Sequence, residues 1–208
     1  MTRKLRALSA DDLVELPFDC GGCRYWESVD PVPATCGSVR DASEQRDWFE
    51  MVVSEWGECG RTAVEDAERL GFIKYAPSRY FPQVWTLRAK PQDAATPLIA
   101  CMHISPDARH HGLGTLLLRA ALKDLLVRGE RKVEAYADAR PQQSREDSPF
   151  MPVEFLERNG FVVVVADAEH PLMQLELKSL ATWSDNLDTV LQSLKFPLRI
   201  PTRQPAPW

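Results

Sequence analysis

Residues 104–115 read Ile-Ser-Pro-Asp-Ala-Arg-His-His-Gly-Leu-Gly-Thr and separate two segments of different pattern. The mostly apolar run 98–104 before them predicts a buried strand, and the leucine-rich run 112–128 after them predicts a largely buried helix. Two glycines one residue apart at a helix start let the backbone approach a ligand closely, while the first N–H groups of the helix point outward. The positive end of the helix dipole favours anions, so the stretch predicts a pyrophosphate site.

Basic side chains accompany these glycines. Arg109 adds a permanent positive charge, and His110 and His111 add hydrogen-bonding groups. A Walker phosphate loop would need Gly-Lys-Ser/Thr, and a dinucleotide fingerprint would need a third glycine where Leu117 stands. The stretch fits neither of these motifs.

Strand and helix patterns alternate on both sides of this stretch. Residues 41–44 form a capping box before apolar residues at helical spacing that end at Gly57, and residues 132–138 alternate as a strand. Asn159 and Gly160 predict a helix end. The other predicted elements are a strand at 4–8, a brief helix from Ser9, a hairpin of 61–64 with 71–75, a short helix starting at Pro152, a strand at 173–178 and an amphipathic helix at 180–194. This order predicts a mixed α/β chain around one sheet.

The strand, the motif Arg109-x-x-Gly112-x-Gly114 and the helix together resemble the GNAT superfamily of acyl-CoA-dependent N-acetyltransferases. The resemblance implies a three-layer α/β fold, with a mostly antiparallel central sheet and helices on both faces. It also implies acetyl-CoA as co-substrate and direct acetyl transfer to a primary amine in a ternary complex. The residues implied to bind the cofactor are Ile104, Arg109, His110, His111, Gly112, Leu113, Gly114 and Thr115, with loop amides on the pyrophosphate and Ile104 beside the pantetheine.

The domain organisation follows from the same resemblance. Residues 1–178 are expected to form a single GNAT-like N-acetyltransferase domain, with a Cys/Pro-rich insertion at 17–40. Residues 179–208 are expected to be an amphipathic helix and a Pro-rich tail. That helix is expected to cover the sheet edge, and a homodimer contact is the alternative.

The expected catalytic residues are less well defined by motif. Members of the family often carry a tyrosine that protonates the leaving sulfur, and Leu156 stands at that position. Tyr136 is a candidate replacement, and Glu134 and His103 are candidate general bases, with Asp138 a further carboxylate on the same strand. Because Leu156 cannot donate a proton, a catalytically silent acyl-CoA-binding sensor or interaction module stays open as an alternative.

The cysteines give a third hypothesis. Cys20-Gly-Gly-Cys23 has the spacing of a zinc knuckle or redox pair, with Cys36 and Cys59 as further thiolates. The later cysteines form no second Cys-x-x-Cys, so no metal is expected and plain thiols are the favoured interpretation. A Cys-x-x-Cys zinc or thiol module remains the alternative.

The composition limits the partners. The chain has 208 residues, 44% of them hydrophobic and 26% charged, and a formal net charge of −5. This balance favours neither nucleic acid nor an anionic membrane as a partner. The longest apolar run, 161–166, is far too short to span a bilayer, and the N-terminus lacks a signal-peptide pattern. We expect a cytoplasmic enzyme acting on a small-molecule or peptide amine.

Overall fold

The structure is a computed structural model that describes residues 3–14, 20–66, 68–142 and 147–177. The whole of the predicted C-terminal segment 179–208 and part of the insertion 17–40 therefore lie outside the described residues. The helices are α1 (Ala10–Val14), α2 (Ala42–Glu55), α3 (Leu113–Val127) and α4 (Val153–Arg158). The strands are β1 (Arg3–Ala7), β2 (Gly60–Glu65), β3 (Glu68–Pro77), β4 (Pro97–Ile104), β5 (Lys132–Asp138), β6 (Met151–Pro152), β7 (Val162–Val165) and β8 (Leu172–Glu176).

One mixed sheet organises this part of the chain. Its strands lie in the order β1-β2-β3-β4-β5-β8-β7, and β6 pairs with β5. The neighbours are antiparallel except for β4 with β5 and β5 with β6, which are parallel. The predicted mixed, mostly antiparallel sheet is confirmed.

Helices cover both faces of the sheet, as predicted. Trp48, Phe49 and Val52 of α2 pack on one face together with the segment that follows α1. Leu117 and Leu118 of α3 pack on the other face, together with Leu156 of α4. The two hydrophobic clusters give the three-layer arrangement. Within the described ranges, no helix is long and apolar enough to cross a membrane.

Local sequence signals explain most helix ends. The Asp41 carboxylate caps α2 by accepting from the backbone N–H groups of Ser43 and Glu44. Gly160 has φ of +88° directly after α4, as the Asn-Gly prediction requires. Pro152 was predicted at the first helical position, but its ψ of 137° is extended, so it precedes the helix. Pro152 instead belongs to the two-residue strand β6, which the sequence did not predict.

A bulge in β4 positions the functional site. Lys74 pairs with Cys101 but Tyr75 pairs with Ile99, which leaves Ala100 as an extra residue. Beyond Ile99, β4 has no register partner on β5.

Beyond the point where β4 and β5 separate, β6 pairs with the edge of β5 that faces β4. Ala137 and Asp138 pair with β6, while the other edge of β5 continues its hydrogen bonds to Pro171 and Glu169. A strand has only two edges, so β6 occupies the one that faces β4. An opening between β4 and β5 therefore begins at the bulge and ends at the loop after Ile104.

Candidate active site

The loop between β4 and α3 presents an open helix start. Gly112 immediately precedes α3 with φ of +79°, in the left-handed region that glycine adopts without strain. A Cβ built on Gly112 would meet no atom within 4 Å. The first N–H groups of α3 have no partner within the helix by its geometry, and no side chain of Gly112 can cap them. This end of α3 is free to receive an anion.

Arg109 fastens the loop to the strand before it. Its Nε donates to the carbonyl oxygen of Ile104 at 3.0 Å, and its side chain is exposed. His110 and His111 are exposed as well, and His110 has a left-handed φ of +62°. Three basic residues therefore surround the start of α3.

The helix start sits tightly on the end of the strand. A Cβ on Gly114 would lie 3.0 Å from Cδ1 of Ile104 and 3.4 Å from Cε of Met102. Leu113 is buried in the core, so only its backbone can serve a ligand, whereas Thr115 is half-buried. The structure thus brings all eight residues that the sequence singled out for cofactor binding to one place, and their individual roles stay predictions.

A small pocket lies beside this loop on the face of the sheet that α2 covers. Its floor comes from β3 and β4, where side chains of one face alternate with those of the other. The opposite wall comes from the segment that contains Cys20 and Cys36, and the rim from the segment before β6. The lining residues are Leu13, Cys20, Cys23, Tyr25, Trp26, Cys36, Gln45, Phe72, Lys74, Cys101, Met102, His103, Ser148 and Pro149.

A buried ion pair supports the floor of the pocket. The Lys74 ammonium lies 2.5 Å from Oε1 of Glu27, with side chains that are 3% and 1% exposed. The ammonium also lies 5.0 Å from the centre of the Trp48 ring. Burial lowers the pKa of Lys74, but Glu27, with smaller contributions from Cys101 and Cys23, outweighs burial and leaves that pKa raised. Lys74 is therefore a fixed cation at this pocket.

A family profile matches most of the chain. Residues 24–161 match the profile of the acetyltransferase (GNAT) family. The chain belongs to the GNAT family. No curated protein matches the chain.

Solved structures share the fold of this GNAT protein at low identity. An N-acetyltransferase from Staphylococcus aureus Mu50 is 16% identical, with a TM-score of 0.57 and coverage of 85% of this chain and 99% of that one. YncA from Salmonella typhimurium, solved with its cofactor acetyl-CoA, is 16% identical, with a TM-score of 0.56 and coverage of 85% and 95%. PaiA N-acetyltransferase from Thermoplasma acidophilum, in complex with coenzyme A, is 18% identical, with a TM-score of 0.50 and coverage of 85% and 99%.

The three catalytic candidates of this GNAT protein lie at different depths. His103 lines the pocket and precedes Ile104 directly. Glu134 pairs with Leu98 where β4 and β5 are still joined, and it is buried. At about 3.3 Å per residue, five strand positions separate Glu134 from the level of His103, or roughly 15 Å along the sheet. These two groups cannot share one small reaction centre.

The two carboxylates of β5, Glu134 and Asp138, are buried. Burial raises the pKa of Glu134, and its Oε2 has no hydrogen-bond partner. Burial would also raise the pKa of Asp138, but hydrogen bonds from Arg140 and Ser148 lower it overall. Both carboxylates are buried, and Asp138 forms an ion pair with Arg140.

Tyr136 is held by packing and by one hydrogen bond. Its hydroxyl donates to the carbonyl oxygen of Ala89, and its ring lies 5.9 Å from the ring of Trp26. Leu156, at the family's usual tyrosine position, is fully buried in the core beneath α4. Tyr136 would have to release Ala89 before it could protonate a leaving group.

The cysteines group differently from the sequence hypothesis. Cys20 and Cys23 share the pocket with Cys36 and Cys101, whereas Cys59 does not line it and belongs to the hydrophobic core. All five are free thiols. In the described part of the chain, no group of three or more metal-binding side chains is close enough to hold an ion.

The pocket contains residues that sequence reasoning did not select as functional. Lys74 and Cys101 lie opposite each other across β3 and β4, and Phe72 lies opposite His103. The sequence held only a weak signal for them, a lysine within the apolar run 72–76. A lysine buried in such a strand needs a partner of opposite charge, and here that partner is Glu27. Which partner it finds depends on the tertiary fold.

Proposed function

We propose that this GNAT protein transfers an acetyl group from acetyl-CoA to a primary amine, by direct transfer in a ternary complex. The observation that carries the proposal is the position of the loop 104–115 directly after the edge of β4 that has left β5. Met102 and His103 of that stretch line the pocket, and the open start of α3 follows the loop. Membership of the family and relatives solved with coenzyme A or acetyl-CoA support the choice of donor.

The loop residues fit the pyrophosphate of such a donor. The amides at the start of α3 and the Arg109 side chain offer hydrogen bonds and positive charge, and the space above Gly112 admits close approach. The edge of β4 that faces β5 has no register partner there beyond Ile99, and up to Ile104 it offers backbone groups to the pantetheine and to the acyl carbonyl. Orientation of the donor would supply much of the rate enhancement.

The acceptor amine would enter from the pocket. Its nitrogen attacks the thioester carbonyl, the carbon–sulfur bond breaks, and the amine loses one proton while the sulfur gains one. His103 is the candidate best placed to take the proton, because it lines the pocket next to Ile104. Tyr136 is the proposed proton donor, and Glu134 is the deeper alternative base.

A second candidate function is acyl-CoA binding without turnover. Two observations favour it: Leu156 is locked in the core, and the Tyr136 hydroxyl is already bonded to Ala89. Such a protein would bind acetyl-CoA through the same loop but release no coenzyme A with any amine. Its role would be that of a sensor or an interaction module.

The first experiment compares melting temperatures with and without acetyl-CoA in the wild type, Gly112→Asp and Gly129→Asp. Ligand at 100 times its dissociation constant adds about 2.7 kcal/mol, which is a clear upward shift. Aspartate tolerates a left-handed φ better than most residues and places a negative charge against the pyrophosphate. Gly129 is the matched control, because it has φ of +84° at the other end of α3 and equally open surroundings.

We expect the shift to persist in Gly129→Asp and to disappear in Gly112→Asp. A wild type that does not respond to millimolar acetyl-CoA contradicts the proposed donor. If acetyl-CoA binds, release of free coenzyme A with a panel of primary amines distinguishes the transferase from the silent binding module.

A further inference from the structure

Four of the five cysteines gather at one pocket although they come from distant parts of the sequence. Cys20, Cys23 and Cys36 belong to the segment between α1 and α2, and Cys101 belongs to β4. Cys59 is fully buried elsewhere in the core. The pocket wall is therefore rich in thiols, and none of the described residues that line it carries a carboxylate.

Two of these thiols interact. The side chain of Cys36 is the largest influence on the pKa of Cys20 and raises it, and both side chains line the same small pocket. Backbone hydrogen bonds fix both positions: the N–H of Cys36 donates to Asp147 at 2.7 Å, and the N–H of Cys23 donates to the carbonyl oxygen of Cys20 at 3.1 Å. The two thiols are thus held in place by the chain around them.

Exposure decides which sulfur reacts first. The interaction with Cys36, together with burial, strongly raises the pKa of Cys20. Cys36 is half-buried, whereas Cys20 is only 6% exposed. Cys36 is therefore the sulfur that a small oxidant entering the pocket would meet.

A pair of neighbouring thiols is better suited to two-electron oxidation than to metal binding. A structural zinc site needs four ligands in a tetrahedron, and within the described ranges not even three candidate ligands are grouped for a metal. We propose that Cys20 and Cys36 are an oxidation site that forms an intramolecular disulfide in the wall of the pocket. The oxidant is a peroxide.

The chemistry balances in two steps. The Cys36 thiolate attacks one oxygen of hydrogen peroxide, which gives a sulfenic acid and, after proton uptake, one water. The Cys20 sulfur then attacks the Cys36 sulfur, and the hydroxyl leaves with the Cys20 proton as a second water. Two thiols lose two electrons and two protons, and one peroxide is reduced to two waters.

The bond would stabilise the pocket wall. It would close a loop across the 15 residues between positions 20 and 36, which include Tyr25 and Trp26 of the pocket. A loop of that length predicts a rise in melting temperature of roughly 6–12 °C for a chain of this size. The wall that faces the proposed acceptor would thereby become more rigid.

The test uses the full chain, reduced and freed of reductant, then treated with hydrogen peroxide. Free thiols are alkylated in denaturant, and tryptic peptides are mapped without reduction. Trypsin cleaves after Arg6, Arg24 and Arg40, so the predicted product joins peptide 7–24 to peptide 25–40. Because Cys20 and Cys23 share a peptide, the Cys20→Ser and Cys36→Ser variants should lose the product, and the control Cys23→Ser should keep it.

The outcomes separate clearly. Loss of two thiols, the expected peptide pair, and the melting-temperature rise in the wild type and Cys23→Ser support the proposal. A disulfide that persists in Cys20→Ser, five remaining thiols, or oxidation only to sulfinic acid overturns it. Purified protein that holds one zinc per chain, lost in Cys36→Ser, also overturns it. None of these readouts depends on acetyl transfer, so failure of the proposed function leaves the test intact.

Discussion

Removing one member of the buried pair of Lys74 and Glu27 should destabilise the protein far more than removing both. The two side chains are 3% and 1% exposed and their charged atoms lie 2.5 Å apart. At an effective dielectric constant of 20, their attraction is about 7 kcal/mol, but each ion also lost several kcal/mol of hydration on burial. The net contribution of the intact pair is therefore close to zero.

Either single substitution leaves one uncompensated charge in the core. We expect Lys74→Met and Glu27→Leu each to lower the free energy of unfolding by about 3–5 kcal/mol. Lys74→Met also loses the contact of the ammonium with the Trp48 ring. The double variant leaves no charge behind, so its free energy of unfolding should lie within about 2 kcal/mol of the wild-type value. The coupling energy between the two positions should therefore be about 3 kcal/mol or more.

Equilibrium unfolding in urea, followed by tryptophan fluorescence, measures this cycle. A matched control is the cycle of Arg46 and Asp11, whose ion pair of 2.8 Å is 41% and 73% exposed. Solvent screens that pair, so its coupling energy should be below about 1 kcal/mol. If a single buried variant does not fold at all but the double variant does, the same conclusion follows.

Additive effects would refute this reasoning. If each buried variant loses less than about 1 kcal/mol and the double variant loses their sum, the two charges are not mutually compensating. Lys74 would then be solvated in solution, and the floor of the pocket would be wetter than the structure shows.

Two further predictions concern the reaction and the response to acid. If His103 is the base, His103→Gln should lower kcat/KM in steady-state assays by about 10²-fold or more, whereas Tyr136→Phe should affect kcat only if Tyr136 is the proton donor. Burial alone would raise the pKa of Asp12, but hydrogen bonds from Arg6, Arg69 and Ser9 lower it overall. The ionised Asp12 therefore stabilises the folded protein fully above the ordinary aspartate pKa. This stabilisation is lost as pH falls through the lower, folded-state pKa. The difference in melting temperature between the wild type and Asp12→Asn should therefore be largest near neutral pH and shrink below about pH 4; a difference that is constant with pH would contradict it.

Residue patterns within short stretches of the sequence predicted many of the helices and strands. Asp41 predicted the start of α2, Gly160 predicted the end of α4, and the alternation at 132–138 predicted β5. The pattern did not reveal that both faces of β5 are buried, Glu134 included. Burial of a strand face depends on what packs against it, and that partner is distant in sequence.

The geometry of the candidate anion-binding loop, 104–115, was determined by the sequence itself. Gly112 and Gly114 act through their own backbone freedom and their place at a helix start, and Arg109 reaches Ile104 only five residues away. These features need no distant partner, so a single stretch of sequence predicts them.

Only the tertiary structure decided the composition of the pocket. Without the bulge, the pairing of Tyr75 with Ile99 would continue to Lys74 with Ala100, and Cys101 would point to the other face. The bulge places Cys101 beside Lys74 instead, and chain packing adds Cys36 rather than Cys59. A register shift of one residue reverses the direction of a side chain, and strand register depends on contacts between distant residues.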